Sequence, residues 1–337
     1  MRVLPANMIE QMTSKEKMLE PFKGKLQATR AHVFLGTKCS YHCKFCYGNG
    51  KRDAEFFPIE QVKEYIDFLH RYGIDEIEYT GGEPTECSYL PELVEWVRDT
   101  YNMRQCIITN GSGENYHDLY LKGVEEFLFS LHGFNKESHN FITGKYDAWE
   151  KINKSMKGVE SFQSALLRIN VTICKYNYLF LKEQAKYIID NFPTVFQVNY
   201  LPMNSWDEAT KYEDISVPYD EYATILDKAV KVIRGNPFRR TRIAIRYIPY
   251  CKLSEDLHPY IYAHIHHAYD DYDWNQELDG RTIRYTYLDK PYGYYTLPSI
   301  LNKRKSLYTK FDTCLRCDKF HICDGFQTNQ LKREGLI

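Results

Sequence analysis

From Ala31 to Leu201, short apolar runs alternate with stretches of helical periodicity, and this alternation constrains the fold more than any other feature. His32–Leu35, Glu76–Thr80, Gln105–Thr109, Glu126–Leu131, Leu166–Ile173 and Thr194–Leu201 read as strands. Ile59–Tyr72, Leu90–Tyr101, Tyr116–Leu121, Tyr146–Ser161 and Tyr178–Asn191 read as helices between them. In the first helix Ile59, Val62, Ile66 and Leu69 recur near helical spacing, and Gly73 ends it. Strands that alternate with helices pair in parallel, so the expected class is α/β.

The residues able to do chemistry follow the strands. Cys39, Cys43 and Cys46 come after the first, Gly81 to Pro84 after the second, Thr109 to Gly111 after the third, and Ser130 to Gly133 after the fourth. In barrel-like α/β folds the active site lies at the C-terminal strand ends, so these four motifs are expected to meet in one pocket. The cysteines stand at C-x3-C-x2-C. Thiolate is a soft ligand that selects iron–sulfur clusters, zinc or copper(I). A four-iron cubane usually takes four thiolates, so three would leave one iron open to a ligand. A structural zinc site wants four ligands, and His42 would be the fourth, although neighbouring residues rarely point at one metal. Ser40, His42 and Lys44 make the stretch too polar for a core strand.

Cys39, Cys43 and Cys46, with the aromatic Phe45 before the last cysteine, resemble the signature of radical S-adenosylmethionine (radical SAM) enzymes. Gly81-Gly82-Glu83-Pro84, Thr109-Asn110-Gly111, Ser130-Leu131-His132-Gly133, and Arg168-Ile169-Asn170 followed by Asn177 match that family in order, from about Ala31 to Pro202. The resemblance implies a partial (β/α)6 TIM-like barrel. It implies a 4Fe-4S cluster on Cys39, Cys43 and Cys46, with S-adenosyl-L-methionine on the open iron. Reductive cleavage would give a 5′-deoxyadenosyl radical that takes a hydrogen atom from the substrate, an electron having come from a flavodoxin or ferredoxin type donor. Phe45, Gly81, Gly82, Glu83, Pro84, Thr109, Ser130 and Arg168 would bind the cofactor. Glycine allows close approach of the backbone at Gly81 and Gly82, and Glu83 offers a carboxylate to the cofactor's amine. Arg168 interrupts an apolar strand and needs an anion, either the cofactor carboxylate or an internal glutamate. His132 is a structural histidine or a proton carrier.

After Pro202 the character changes. Tyr219–Arg234 reads as an amphipathic helix, Gly235-Asn236-Pro237 as a breaker, and Arg242–Ile248 alternates. Cys314, Cys317 and Cys323, with Cys251, form a second ligand set. They resemble the single auxiliary cluster of twitch-type radical SAM enzymes, cousins of the larger SPASM domain. A second 4Fe-4S cluster is the expected occupant, and zinc on a tetrahedral four-thiolate site is the rival. The expected organisation is an N-terminal extension over 1–29, the barrel over 30–204, and a C-terminal substrate and auxiliary-cluster region over 205–337. Cys106 reads as core, and Cys87 and Cys174 as core thiols or hydrogen-atom donors. His264, His266, His267, Asp270, Asp271 and Asp273 fit no metal spacing and read as a solvated helix end.

Composition narrows the function. Lys and Arg number 44 against 45 Asp and Glu, a net charge of -1, which argues against a broad nucleic-acid footprint. Arg239, Arg240 and Arg242, and Lys303, Arg304 and Lys305, are short basic runs that read as solvated surface. No apolar run is long enough to span a bilayer, and no signal peptide is read at the polar N-terminus. Ten cysteines without a secretion signal point to a reducing, cytoplasmic setting and to metal ligation. The expected substrate is a peptide, in ribosomal peptide maturation. The alternatives are a sugar or nucleoside-type metabolite, and a zinc-binding protein without enzyme activity.

Overall fold

The structure is a computed structural model that describes residues 2–19, 30–46, 55–71, 74–203, 215–235, 241–263 and 307–337, together with the backbone of four short strands between 277 and 293. After helices α1 (Ala6–Met12) and α2 (Lys15–Leu19), strand and helix alternate. The order is β1 (Arg30–Phe34), α3 (Ile59–Arg71), β2 (Glu76–Thr80), α4 (Leu90–Tyr101), β3 (Arg104–Thr109), α5 (Tyr116–Lys122) and β4 (Val124–Ser130). Then come α6 (Lys136–Thr143), α7 (Ala148–Glu160), β5 (Leu166–Ile173), α8 (Leu181–Asn191), β6 (Gln197–Pro202), α9 (Tyr219–Arg234), β7 (Arg242–Arg246) and β8 (Ile261–Tyr262).

Among the described residues, β1 to β8 form one sheet in sequence order, every neighbouring pair parallel. The sheet curls into part of a barrel, with the helices on its outside. All six strands expected from the sequence are there. Two more extend the edge, because β6 pairs with β7, from Gln197 opposite Arg242 to Tyr200 opposite Ile245. The sheet therefore runs past residue 204, where the barrel was expected to end. β7 falls within the alternating stretch Arg242–Ile248, and β8 has only two residues, too few to show a pattern. Helix α6 was not expected either. Its sequence is polar, and it is set by a capping box in which Asn135 accepts the Ser138 N–H.

The helices bury one stripe each against the sheet. Ile152, Met156 and Val159 of α7 and Leu181, Ala185 and Ile188 of α8 are buried. Each large apolar side chain among them contributes about 1.5–3 kcal/mol. No helix among the described residues is long and apolar enough to cross a membrane.

The barrel floor, at the N-terminal strand ends, is charged. Arg30 of β1 pairs with Glu76 at 2.7 Å, Glu78 at 2.8 Å and Glu126 at 3.0 Å. Arg168 of β5 lies 2.8 Å from Glu126 and 3.4 Å from Glu78, and His32 lies 2.8 Å from Glu78. Burial pushes the Glu78 and Glu126 carboxyls up, but Arg30 and Arg168, with His32 at Glu78, hold both below the usual carboxylate range. Glu78, Cys106 and Glu126 also lie close enough together for a metal ion. The guanidinium groups already neutralise that cluster, so it is an ion-pair floor. Of the two partners expected for Arg168, the structure shows the internal glutamates.

Residues 2–19 are tied to the segment around residue 311. Val3 bridges antiparallel to Phe311, the Leu4 N–H donates to the Lys310 carbonyl at 2.8 Å, and the Asp312 N–H to that of Arg2 at 2.9 Å. The Ser14 N–H donates to His321 Nδ1 at 3.2 Å. The start of the chain is thus fastened to the segment bearing Cys314, Cys317 and Cys323.

Candidate active site and cysteine centres

The cysteine loop leaves the C-terminal end of β1 and is fixed from two sides. On one side the second strand's turn continues the ladder: the Gly82 N–H donates to the Gly36 carbonyl and the Glu83 N–H to the Lys38 carbonyl, both at 2.8 Å. A Cβ on Gly82 would lie 1.9 Å from the Lys38 carbonyl oxygen, and one on Gly81, at φ +133°, 2.3 Å from that of Gly36. The sequence reading gave this glycine pair a ligand to approach. What approaches in the structure is the backbone that delivers Cys39. On the other side the N–H groups of His42 and Lys44 donate to the carbonyls of Thr143 and Ile142, at the end of α6, at 2.8 and 2.9 Å.

Glu83 joins three strand ends. Its Oε1 accepts the Thr109 hydroxyl at 2.7 Å, the Thr85 hydroxyl at 2.6 Å and the Thr85 N–H at 3.1 Å, and its Oε2 accepts the Asn110 N–H at 2.7 Å. Burial pushes its carboxyl up, and these donors pull it back. Glu83 was expected at the cofactor's amine; its oxygens here organise the loop. Pro84 opens a short 3-10 turn that Glu83 caps. Thr109 also meets the Tyr116 hydroxyl at 2.9 Å. Gly111, at φ +85°, lets α7 close in, since a Cβ there would lie 2.7 Å from the Ile152 Cα.

Cys39, Cys43 and Cys46 are each half-buried. Burial pushes the Cys39 thiol up to about 12 and the Cys43 thiol well above its ordinary value, with neighbouring cysteines adding to both shifts. Metal ligation requires the thiolate form, so binding a metal here would release protons. Asn110, which sequence reasoning quoted without a role, places its Nδ2 3.6 Å from Cys39 Sγ. Three soft donors in one partly open loop fit a cluster with one iron left for another ligand. Phe45 packs edge-on to His132, with ring centroids 4.5 Å apart, and against Met203 and Ile215.

Ser130 ends β4 opposite Asn170 of β5. Asn170 accepts from Asn199 Nδ2 at 2.7 Å, and Asn199 in turn accepts from Gln197 at 2.6 Å, so amides line this wall. His132 is neutral: burial holds it well below the usual imidazole range, and its Nδ1 accepts the Thr172 N–H at 3.2 Å. Asn177 donates to the carbonyls of His132 and Thr172 at 2.9 and 2.7 Å and accepts the Cys174 N–H at 2.8 Å, a staple between the fourth and fifth strand ends. Cys87, Cys106 and Cys174 are buried thiols.

The C-terminal cysteines form a second centre. Cys251, Cys314, Cys317 and Cys323 line one cavity of about 400 Å³, with Tyr250, Lys310 and Phe320 among its walls. Burial pushes Cys251 up to about 11, and Cys323, Cys314 and Cys317 add to that shift. A fold that brings Cys251 to one cavity with Cys314, Cys317 and Cys323, more than sixty residues further along the chain, fits a four-thiolate metal group. The residues from His264 to Asp273 and the basic runs at Arg239 to Arg240 and Lys303 to Lys305 lie outside the described residues.

Residues 33–187 match the family model described as the radical SAM superfamily. A probable GTP 3′,8-cyclase of Thermoplasma volcanium is 23% identical over 219 residues, covering 64% of this chain and 67% of the relative. An S-adenosylmethionine-dependent nucleotide dehydratase of Lacinutrix mariniflava is 25% identical over 247 residues, covering 66% of this chain and 48% of the relative, so the chain spans about half the length of that protein. The structure of Streptococcus suis SuiB bound to precursor peptide SuiA superposes with a TM-score of 0.63 at 15% identity, over 94% of this chain and 75% of the other. That likeness speaks for the fold. The matched stretch, its three-cysteine loop and the curled parallel sheet agree, and over residues 33–187 the chain is similar to the radical SAM superfamily.

Proposed function

We propose that this protein cleaves S-adenosyl-L-methionine reductively at the Cys39, Cys43 and Cys46 centre, and that a second iron–sulfur cluster sits on Cys251, Cys314, Cys317 and Cys323. The observation that carries the reading is the three-thiol loop at the C-terminal edge of the barrel, pinned by the glycine pair and by α6. When bound, the cluster and the cofactor supply the radical chemistry. This chain's residues position them. Gly82 and Lys38 set the loop's path, Asn110 orients a donor toward Cys39, and Glu83 keeps the second and third strand ends in register. Ser130 and Asn170 offer polar groups at the same edge, and Phe45 covers the loop's inner side. The half-buried loop leaves access for an external electron donor of flavodoxin or ferredoxin type.

The substrate in this reading is a nucleotide-type metabolite. Two observations support it: the cyclase and dehydratase relatives carry nucleotide chemistry in their names, and amides of Asn170, Asn199 and Gln197 line the inner wall. A peptide is the second reading, supported by the SuiB structure with a peptide bound, whose likeness extends over the C-terminal region. The test is 5′-deoxyadenosine formation by anaerobic, cluster-loaded protein with reductant, alone and with nucleoside triphosphates or peptides. Nucleotides are expected to accelerate it, and Cys43→Ala to abolish it. Activity that persists in Cys43→Ala would refute the assignment.

A further inference from the structure

The face beside the cysteine loop is aromatic and positively charged. Lys44 lies between Cys43 and Cys46, and its Nζ sits 4.2 Å from the ring centroid of Phe141 on α6 and 5.8 Å from that of Tyr176. The two rings meet edge to face, with centroids 5.1 Å apart. Lys175, exposed just past the end of β5, brings a second ammonium to 5.3 Å from the Tyr176 ring. Phe141 is 53% exposed, which is unusual for a ring of that size. Among the described residues neither lysine has a carboxylate partner.

Exposed rings rimmed by cations suit a protein partner of opposite charge. The chain as a whole has a net charge of only -1, so this positive face is a local feature. Reductive cleavage at the cysteine loop needs an electron from outside, and Lys44 stands between two of its thiols, where the route inward is short. We propose that this face docks a flavodoxin-type donor, a small acidic protein. Its flavin presents an apolar ring edge to Phe141 and Tyr176, while Lys44 and Lys175 meet its carboxylates. One electron leaves the reduced flavin and enters the cluster held by the loop. Transient electron-transfer contacts bury under about 1,200 Å² in total, so a few rings and charges are enough. The inference rests on the reading of Cys39, Cys43 and Cys46 as the reductively cleaving centre.

The test uses the full, cluster-loaded chain under anaerobic conditions, with a bacterial flavodoxin as the probe. Isothermal titration calorimetry with oxidised flavodoxin reads binding without turnover. Lys175→Glu and Phe141→Ala are expected to weaken it about fivefold, and raising the salt is expected to weaken binding to the parent. Lys231→Glu, in the last turn of α9 at the opposite end of the barrel, is expected to bind as the parent does. Formation of 5′-deoxyadenosine is then compared with two electron sources. With reduced flavodoxin, Lys175→Glu and Phe141→Ala should need about fivefold more of it for the half-maximal rate. With dithionite, both should match the parent. Equal affinity for flavodoxin in Lys175→Glu and the parent, or an equal loss in Lys231→Glu, would overturn the docking face. So would variants slowed as much with dithionite, since ring and lysine would then be structural, or a parent that dithionite drives and flavodoxin does not. A parent inactive with dithionite would instead refute the reading of the cysteine loop itself.

Discussion

The Asn110 N–H donates to Glu83 Oε2 at 2.7 Å, across 27 residues of sequence. Through that bond the third strand-end loop hangs on the second, and the Asn110 side chain is held against Cys39. Loss of the carboxylate should therefore be felt at the cluster as well as in the fold. Glu83→Gln keeps the shape but has one acceptor oxygen where Glu83 uses two. It is expected to lower cluster incorporation several-fold while Glu60→Gln, an exposed carboxylate near Lys63, does not. Iron per chain after anaerobic reconstitution, counted beside far-UV circular dichroism, measures this.

The contact between Gly82 and the Lys38 carbonyl leaves no room for a methyl group. Gly82→Ala should displace the lead into Cys39 and destabilise the protein by about 3 kcal/mol, the upper part of the usual range for overpacking. Gly158 has open space around it and serves as the control. Gly158→Ala, on the surface of α7, is expected to stabilise slightly, because alanine is the better helix former. Urea midpoints of the two variants separate these effects.

The barrel floor makes a stronger demand. Removing one partner of a buried charge network strands the others, at about 3–5 kcal/mol. Glu126→Gln leaves Arg30 and Arg168 short of an anion and should cost that much. Arg71→Gln, which loses an exposed partner in Asp67, should cost under about 1 kcal/mol. Denaturant unfolding of both proteins is the check.

The same floor sets a pH dependence. Glu78 and Glu126 titrate lower in the folded chain than in the unfolded one. Their contribution is therefore complete above the unfolded carboxyl value of about 4.3 and is lost as pH falls through the folded values. Stability should hold level from neutral pH down to about 5 and then fall. In Glu126→Gln the acid slope should be shallower, as one of the responsible groups is gone. A series of urea midpoints from pH 7 to 3 reads both slopes.

Asn177, itself buried, makes three hydrogen bonds across the fourth and fifth strand ends. Asn177→Ala should lose about 2–3 kcal/mol, from unsatisfied carbonyls at His132 and Thr172. Hydrogen exchange at the Cys174 amide should quicken more than at the sheet centre.

Much of this was legible in the sequence, and what was missed has physical reasons. Leu90–Tyr101 and Leu166–Ile173 announce themselves because each buries one regular set of positions. Helix α6 escapes because its cap is a side-chain event at Asn135 and Ser138, and it buries polar residues such as His139 and Thr143. The cysteine sets could be read because thiols at fixed spacing carry their own chemistry. Arg168 pointed correctly to a buried anion, but pattern alone does not say that Glu78 and Glu126 reach it first. Glu83 and the glycine pair were assigned to a ligand because motifs at strand ends invite that reading; their hydrogen bonds also close the scaffold. Lys310 gives no signal in sequence; only the fold turns it into the cavity.

The bridge between Val3 and Phe311 has a temporal meaning. A polypeptide leaves the ribosome from its first residue, so residues 2–4 must wait, unmatched, until the stretch around 311 has been made. The second cysteine cavity is complete only once Cys323 has been made, well after the loop around Cys43.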